Sequence, residues 1–283
     1  MPEITASAAG TIDLGGDLTV RRLGLGTMRI TGSGIWGEPP DIEHAKSVLR
    51  RAIELGVNFV DTADSYGPDI SEDLIAAALH PYPADLVIAT KGGLVRPGPG
   101  RWEPDGRPEH LREACEGSLR RLKLDQIPLY QLHRPDPKVP LSESIGALVQ
   151  MKQEGKIRHI GVSNVNESEL RTAQKLTPVV SIQNRFNVSD RSSEPLVDLC
   201  EQEQLVFLPW APILDSDRDA AVREAASRHG ATIRQIALAW MLARSPQMLP
   251  IPGTGSVEHV ESNIAAALIE LSGEEVAAIT GAP

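Results

Sequence analysis

Short apolar runs rich in valine, isoleucine and leucine recur along the whole chain. Eight of them are present, at 23–28, 58–63, 86–91, 127–133, 157–164, 179–184, 205–212 and 248–253. Amphipathic stretches of helical period follow them, for example at 42–55, 71–79, 108–122, 141–153 and 167–175. A near-continuous apolar run is typical of a strand buried on both faces, and its alternation with helices is typical of a parallel sheet covered by helices. The pattern therefore predicts repeated β-α units.

The number of units favours a closed barrel. Eight units in 283 residues amount to about 35 residues each, which suits a (β/α)8 TIM barrel of the α/β class. An open dinucleotide-binding sheet would carry a GxGxxG motif after its first strand, but segment 24–29 has two glycines and no third. No linker or low-complexity tract divides the chain, so we expect one barrel domain over 1–283.

Loops at one end of the barrel are the expected place for a functional site. Segments 11–14 and 18–22 flank a Gly-Gly-Asp turn and predict an N-terminal β-hairpin that closes the bottom. The connections 29–40, 92–107 and 134–140 are longer or richer in glycine and proline than the others, and each follows a strand. They therefore belong at the C-terminal face, where barrel enzymes place their chemistry.

The composition lowers the expectation of several functional classes. A net charge of −10 and a sequence pI near 5.2 give no electrostatic footprint for nucleic acid or an anionic membrane, and no apolar run reaches about 18 residues. Cys115 and Cys200 lack CxxC and zinc-ligand spacing, so neither a disulfide framework nor a metal site is expected. Because the first ten residues carry no secretory signal pattern, we expect a cytoplasmic protein.

Four side chains suited to proton transfer lie at the ends of three successive predicted strands. Asp61 and Tyr66 lie at the end of the second strand, Lys91 at the end of the third and His133 at the end of the fourth. Because the carboxyl ends of barrel strands share one face, we expect these side chains to converge at one rim. Each alone has an ordinary structural interpretation, as a loop-capping carboxylate, a half-buried tyrosine, a surface lysine or a core histidine; only together do they indicate chemistry.

With their neighbours, these positions resemble the aldo-keto reductase superfamily. The motifs are DTADSYG at 61–67, KGG at 91–93, LHRPD at 132–136 and GVSN at 161–164, and the resemblance continues at 183–184, 210–212 and 251–263. It implies a (β/α)8 barrel that reversibly transfers hydride between a nicotinamide cofactor and an aldehyde or ketone. Segments 32–41 and 251–263 also resemble a bacterial subgroup containing pyridoxal reductases, which makes pyridoxal a candidate substrate.

The resemblance implies a role for each of the four side chains. Tyr66 would give its proton to the developing alkoxide, because an unperturbed tyrosine has a pKa of about 10 and is protonated at neutral pH. Lys91 would stabilise the phenolate, and Asp61 would keep Lys91 charged and oriented. His133 would hydrogen-bond the carbonyl oxygen of the substrate.

The same resemblance implies NADPH as the cofactor, with NADH as the alternative. Ser163, Asn164 and Gln183 would bind the nicotinamide carboxamide, and Trp210 would stack on the ring. Backbone N–H groups in the turn that leads into the helix-like segment from 257 would face the phosphates. The predicted cofactor-binding positions are Gly26, Thr27, Met28, Asp61, Ser163, Asn164, Gln183, Trp210, Ala211, Pro212, Ile213, Gly253, Thr254, Ser256, His259 and Asn263.

The chain departs from the family pattern in two places. Many members bind the adenosine 2′-phosphate with a lysine directly after the Ile-Pro pair and an arginine a few residues on, whereas Gly253 and His259 stand here. The loss of two permanent cations weakens the inference to NADPH, unless arginines elsewhere compensate.

A short 213–219 loop and the lack of a long C-terminal loop predict an open substrate pocket. Trp36 and Trp102 are its candidate walls, and Arg134 is a candidate anion contact.

Three functions stay open at this point. The first is a carbonyl reductase acting on a small-molecule substrate. The second is a barrel aldolase with Lys91 as a Schiff-base lysine, which leaves Tyr66 and the amide residues without a joint role. The third is a nucleotide-binding regulatory subunit with little turnover, against which the four intact catalytic residues argue, although such relatives also keep them. The oligomeric state is open as well.

Overall fold

The computed structural model describes residues 3–213 and 219–281, so most of the loop predicted at 213–219 lies outside the described part. The strands in that part are β1 (Thr11–Leu14), β2 (Leu18–Arg21), β3 (Leu25–Gly26), β4 (Phe59–Asp61), β5 (Val87–Gly92), β6 (Leu94–Gly98), β7 (Arg101–Pro104), β8 (Ile127–Leu132), β9 (Ile157–Ser163), β10 (Val179–Gln183) and β11 (Val206–Phe207). The helices are α1 (Ile42–Glu54), α2 (Ile70–Leu79), α3 (Pro108–Leu122), α4 (Leu141–Gln153), α5 (Glu167–Gln174), α6 (Glu194–Glu203), α7 (Ala220–His229), α8 (Ile233–Arg244), α9 (Val257–Ala265) and α10 (Gly273–Gly281).

Seven parallel strands form one curled sheet. They pair in the order β11-β10-β9-β8-β5-β4-β3, so strands adjacent in the sheet follow one another along the chain once the β6-β7 hairpin is set aside. Helices separate most of these strands, as the alternating pattern predicted. The α/β fold is therefore confirmed, and its parallel strands succeed one another in the order expected of a barrel.

Segment 247–253 closes the barrel. Phe207 of β11 forms a parallel bridge with Met248, and Gly26 of β3 forms one with Gly253. The N–H groups of Gly24 and Gly26 donate to the carbonyls of Pro250 and Pro252, at 2.9 and 3.3 Å. This is the eighth predicted strand, but it has no regular ladder because its two prolines have no N–H to donate.

The N-terminal hairpin packs into the barrel, as predicted. β1 and β2 pair antiparallel, and Ile12, Leu14 and Val20 point to the same interior cluster as Phe59 and Leu129 of the barrel strands. Those five side chains are buried, so the hairpin fills the end of the barrel opposite the strand carboxyl ends. The functional face can therefore open only at the other end.

Local sequence explains how the outer helices form. The side chain of Asp41 caps α1 by accepting the backbone N–H of His44 at 2.9 Å. Within α1, Ala45, Val48 and Ala52 recur at helical spacing and are buried against the sheet. One connection differs from its prediction, because the loop expected at 92–107 contains the antiparallel hairpin β6-β7.

Candidate active site

A pocket of ≈ 870 Å³ opens at the carboxyl ends of the barrel strands. Strand ends such as Asp61 and Gln183 line one wall, and the loops that follow the strands supply the remainder. Its volume lies within the range of small-molecule and cofactor sites, roughly 300–1,000 Å³. The pocket thus lies on the face where barrel enzymes carry out catalysis.

A buried ion pair lies behind the pocket wall. Lys91 Nζ is 2.6 Å from Asp61 Oδ2, and both side chains are almost wholly buried. Lys91 also donates to the carbonyl of Thr62 at 2.8 Å. The other carboxylate oxygen, Oδ1, accepts from Gln131 Nε2 at 3.2 Å and from Gln183 Nε2 at 2.8 Å. Both oxygens of Asp61 are therefore hydrogen-bonded, as a buried charge requires.

Tyr66 lies beside this ion pair. The residue is 7% exposed, and Lys91 Nζ is 5.2 Å from its ring centroid. Burial raises the pKa of Tyr66, and the charge of Lys91 opposes this only in part. Burial by itself would lower the pKa of Lys91, but Asp61 and Tyr66 outweigh it, so that pKa is raised. At neutral pH the two groups are therefore a phenol that carries its proton and a charged ammonium.

His133 faces Tyr66 within the same wall. Their ring centroids are 5.8 Å apart in an edge-to-face arrangement. Burial, reinforced by the positive charges of Lys91 and Arg134, lowers the pKa of His133 well below its ordinary value. The imidazole is therefore neutral at physiological pH. Ser65 Oγ lies 3.3 Å from its Nδ1, and when Ser65 donates this hydrogen bond the proton of His133 is on Nε2.

The predicted carboxamide-binding residues form one hydrogen-bonded group. Asn164 adopts a left-handed backbone (φ 57°) directly after β9. Its Nδ2 donates to the carbonyl of His133 and to Ser163 Oγ, both at 3.0 Å, and its Oδ1 accepts from Trp210 Nε1 at 3.1 Å. Ser163 Oγ in turn donates to the carbonyl of Gln183 at 2.7 Å. Through Asn164, this group links the indole of Trp210 to the backbone of His133.

Comparison with known proteins gives the family of this chain. A model of the Aldo/keto reductase family matches residues 22–282. The chain belongs to the aldo/keto reductase family. This aldo/keto reductase is 48% identical over 274 residues to an uncharacterized oxidoreductase of Schizosaccharomyces pombe, covering 96% of this chain and 89% of that protein. It is 37% identical over 275 residues to the pyridoxine 4-dehydrogenase of Escherichia coli, covering 94% of this chain and 96% of that protein.

Solved structures of aldo-keto reductases have the same fold. The thermostable aldo-keto reductase Tm1743, in complex with the inhibitor epalrestat, matches with a TM-score of 0.84 and 32% identity, over 96% of this chain and 98% of that one. An aldo/keto reductase from Klebsiella pneumoniae, in complex with NADP and acetate, matches with a TM-score of 0.80 and 30% identity, over 95% and 93%. Family membership supports an oxidoreductase acting on small-molecule carbonyl compounds.

The aldo/keto reductase pocket collects most of the predicted site residues. Those that line it are Gly26, Thr27, Met28, Asp61, Tyr66, Trp102, His133, Arg134, Ser163, Asn164, Gln183, Trp210, Ala211, Pro212, Ile213, Gly253, Thr254, His259 and Asn263. Lys91 lies behind the wall that Asp61 forms. Two other predicted residues lie outside the lining. Ser256 caps α9 and accepts the N–H of His259 at 3.2 Å, while Trp36 packs near the guanidinium of Arg96.

No sequence motif indicated Arg96, which connects the two tryptophan loops. Its guanidinium stacks on Trp102, 3.6 Å from the ring centroid, and lies 5.6 Å from that of Trp36. Its N–H groups donate to the carbonyls of Ile35 at 2.8 Å and Ser65 at 3.0 Å. Because Ser65 directly precedes Tyr66, this single side chain joins both loops to the segment that carries the phenol.

Gln131 was also missed, although the sequence held a signal for it. Successive side chains of a strand point to opposite faces, so Gln131 shares the inward face with His133 two residues later. An inward-facing amide next to the predicted Asp61 and Lys91 is a candidate partner for either of them. Strand parity alone would have placed Gln131 in the polar layer of the barrel.

Residues 3–213 and 219–281 show neither a metal-binding cluster nor a membrane-spanning helix. No group of three or more His, Cys, Asp or Glu side chains there could hold a metal ion. In the same residues, no helix has the length and apolar character needed to cross a membrane.

Proposed function

We propose that this protein is an NADPH-dependent reductase of aldehydes or ketones, with Tyr66 as the general acid. The observation that carries the proposal is the convergence of Tyr66, His133 and the Lys91–Asp61 ion pair on one wall of the pocket. A reductase needs a proton donor at the carbonyl oxygen, and this wall supplies one with a cation beside it.

The protonation states suit reduction. Burial raises the pKa of Tyr66, so the phenol holds its proton until the carbonyl oxygen gains negative charge. The ammonium of Lys91 then stabilises the phenolate left behind, and the carboxylate of Asp61 keeps that ammonium charged. A neutral His133 with its proton on Nε2 donates a hydrogen bond to the same oxygen and orients it.

The residues around the pocket fit a nicotinamide dinucleotide. When bound, the reduced nicotinamide supplies the hydride. Asn164 and Ser163 would bind its carboxamide by exchanging part of their present hydrogen bonds, and Trp210 would cover one face of the ring. The side chain of Asn263 lines the pocket, is 5% exposed and has no hydrogen-bond partner among the described residues, which leaves it free for a ligand.

The state of Lys91 disfavours the aldolase alternative. A Schiff-base lysine attacks as a neutral amine, and so its pKa must be lowered. Here Asp61 and Tyr66 outweigh burial and raise the pKa of Lys91, and Nζ is held by Asp61 Oδ2 and the carbonyl of Thr62.

The substrate we propose is an aromatic aldehyde of the pyridoxal type. Trp102 lines the pocket beside Tyr66, with 6.3 Å between the ring centroids, and Arg134 is exposed at the pocket rim. An aromatic ring can pack on the first, and an anionic substituent can pair with the second. The similarity to a pyridoxine 4-dehydrogenase supports the same substrate class.

Consumption of NADPH in the presence of pyridoxal, benzaldehyde or an aliphatic aldehyde tests the proposal. We expect turnover, with pyridoxal the best of the three, and a loss of about 10²–10⁴-fold in kcat for Tyr66→Phe because a general acid contributes that much. The affinity for NADPH should change less than threefold. Tyr82→Phe is the matched control, because Tyr82 donates to the carbonyl of Leu122 outside the pocket.

Other outcomes decide between the alternatives. Tight NADPH binding without turnover of any aldehyde would favour a regulatory subunit. A borohydride-trapped adduct on Lys91 would favour the aldolase. A Tyr66→Phe enzyme as active as the parent would show that another group supplies the proton.

We also propose a cytoplasmic location, with which two buried free thiols, Cys115 and Cys200, are consistent.

A further inference from the structure

The described lining of the pocket is positively charged although the chain is acidic. Among the residues of 3–213 and 219–281 that line it are three arginines, Arg29, Arg134 and Arg234, and one carboxylate, Asp61, which Lys91 neutralises. Within residues 3–213 and 219–281, none of the three guanidiniums forms an ion pair, although the net charge of the chain is −10. Unpaired arginines gathered at one cavity favour an anionic ligand there.

Arg29 lies directly against the turn that replaces the usual lysine. A Cβ built on Gly253 would lie 3.7 Å from Cγ of Arg29, and one built on Gly255 would lie 3.0 Å from its carbonyl oxygen. The absence of side chains at both positions lets the β3 loop pack on this turn. The exposed Arg29 side chain therefore runs beside the position where many family members place their cation.

Arg234 lines the same pocket from another element. It is the second residue of α8, and the next residue, Gln235, donates from Nε2 to the carbonyl of Ser262 at 3.0 Å. This bond holds the start of α8 next to Asn263 on α9. A cation in the first turn of a helix is disfavoured by the helix dipole unless an anion joins it, and no described carboxylate does.

The start of α9 cannot supply the missing charge. Ser256 Oγ already accepts the N–H of His259 at 3.2 Å and donates to the carboxylate of Glu258 at 2.6 Å. The cap is thus satisfied within the helix and brings a negative charge with it. Positive charge to balance a phosphate beside α9 would therefore come from side chains on other elements.

We infer that Arg29 and Arg234 together bind the 2′-phosphate of NADPH. They would take the place of the lysine and arginine that many family members have at the positions of Gly253 and His259. The inference rests on the proposed function, because it requires the dinucleotide to lie in this pocket. A 2′-phosphate carries up to two negative charges, and an arginine can meet a phosphate through two parallel hydrogen bonds. NADH lacks that phosphate, so the two arginines determine the choice between the cofactors.

Dissociation constants measured by quenching of tryptophan fluorescence test this directly, without turnover. The probes are NADPH, NADH, 2′-phospho-ADP-ribose and ADP-ribose, and the variants are Arg29→Gln, Arg234→Gln and the double variant. Arg120→Gln removes one exposed charge from α3, outside the pocket lining, and is the matched control. Both arginines are exposed, so these variants should fold normally.

The parent should bind NADPH at least about tenfold more tightly than NADH, because charge-assisted hydrogen bonds are worth that much or more. Each single variant should raise the dissociation constant of NADPH by about tenfold, and the double variant should raise it by more. The dissociation constant of NADH should change less than threefold. The same ratios should hold for the two ADP-ribose probes, and added KCl should reduce the preference. Arg120→Gln should behave like the parent.

Four results would overturn the inference. If the double variant loses affinity for NADPH and for NADH equally, the arginines contact a part that both cofactors share. If it binds NADPH as the parent does, they do not touch the ligand. If the parent binds both cofactors equally, the inference fails while the reductase proposal stands. A parent that binds neither cofactor contradicts the proposed function itself, and the inference with it.

Discussion

The guanidinium of Arg96 lies 3.6 Å from the ring centroid of Trp102, while two of its nitrogens donate to the carbonyls of Ile35, Ser65 and Gly34. One buried side chain thus fixes three segments that are 30 or more residues apart. The Trp102 side of the pocket is therefore held by a planar cation stacked on an indole, a contact that the localised charge of a lysine cannot reproduce.

Arg96→Ala should reduce kcat/KM by about ten- to hundredfold, because a displaced wall no longer positions the carbonyl near Tyr66. Most of the loss should appear as a higher KM for the aldehyde, with the affinity for NADPH unchanged. Arg96→Lys should not restore activity, because lysine has neither the fork of donors nor the flat face. Arg101→Ala, an exposed residue of the same hairpin, is the control. An Arg96→Lys enzyme with parental kinetics would contradict this positioning role.

The Lys91–Asp61 pair should show strong thermodynamic coupling. Loss of either partner leaves a buried charge unpaired, so we expect Asp61→Asn and Lys91→Met each to lower the free energy of unfolding by about 3–5 kcal/mol. In the double variant, the free energy of unfolding should fall by clearly less than the sum of the two single losses. Urea titrations of the four proteins measure the cycle. Additive losses would mean that the two charges do not stabilise each other.

The pH dependence of reduction should reflect a neutral His133. Burial and two nearby cations lower the pKa of His133 well below its ordinary value, so the imidazole does not titrate between pH 6 and 8. We expect kcat/KM to be level over this interval, and His133→Gln to lower it without adding an inflection. An inflection near 6.5 in the parent that disappears in the variant would show instead that protonated His133 is involved.

Ionisation of Asp64 should lower the free energy of unfolding as the pH rises. Burial, reinforced by the charge of Glu72, raises the pKa of Asp64 well above its ordinary value, and Oδ1 has no partner in the described part of the chain. Between the unfolded pKa near 3.9 and the raised folded value, the native state binds the extra proton. The free energy of unfolding therefore falls with rising pH by up to about 1.4 kcal/mol per unit through this group.

Asp64→Asn should remove that slope. The variant should be more stable than the parent at pH 7 and equal to it below about pH 3, where Asp64 is protonated in both folded and unfolded states. Urea unfolding at several pH values measures the difference, with the exposed Asp125→Asn as control. A variant less stable than the parent at pH 7 would show that the carboxylate is ionised and stabilising in the native state.

Periodicity determined the architecture in advance. Strands buried on both faces and helices with one apolar stripe differ in their spacing of apolar residues, so α3 and α4 begin and end where the pattern predicts. The same pattern located the eighth strand but not its lack of a ladder, which follows from Pro250 and Pro252. Because parallel strands present their carboxyl ends on one face, the sequence also indicated that Asp61, Lys91 and His133 would meet.

Tertiary structure alone decided which side chains support these residues. Arg96 reaches the carbonyl of Ile35 across 61 positions of sequence, and Gln183 reaches Asp61 across 122. Arg29 and Arg234 both line the pocket, one from the first barrel loop and one from α8. Periodicity reports only which face of its own element a residue occupies. Contacts between loops depend on how distant elements pack, so only the folded chain reveals them.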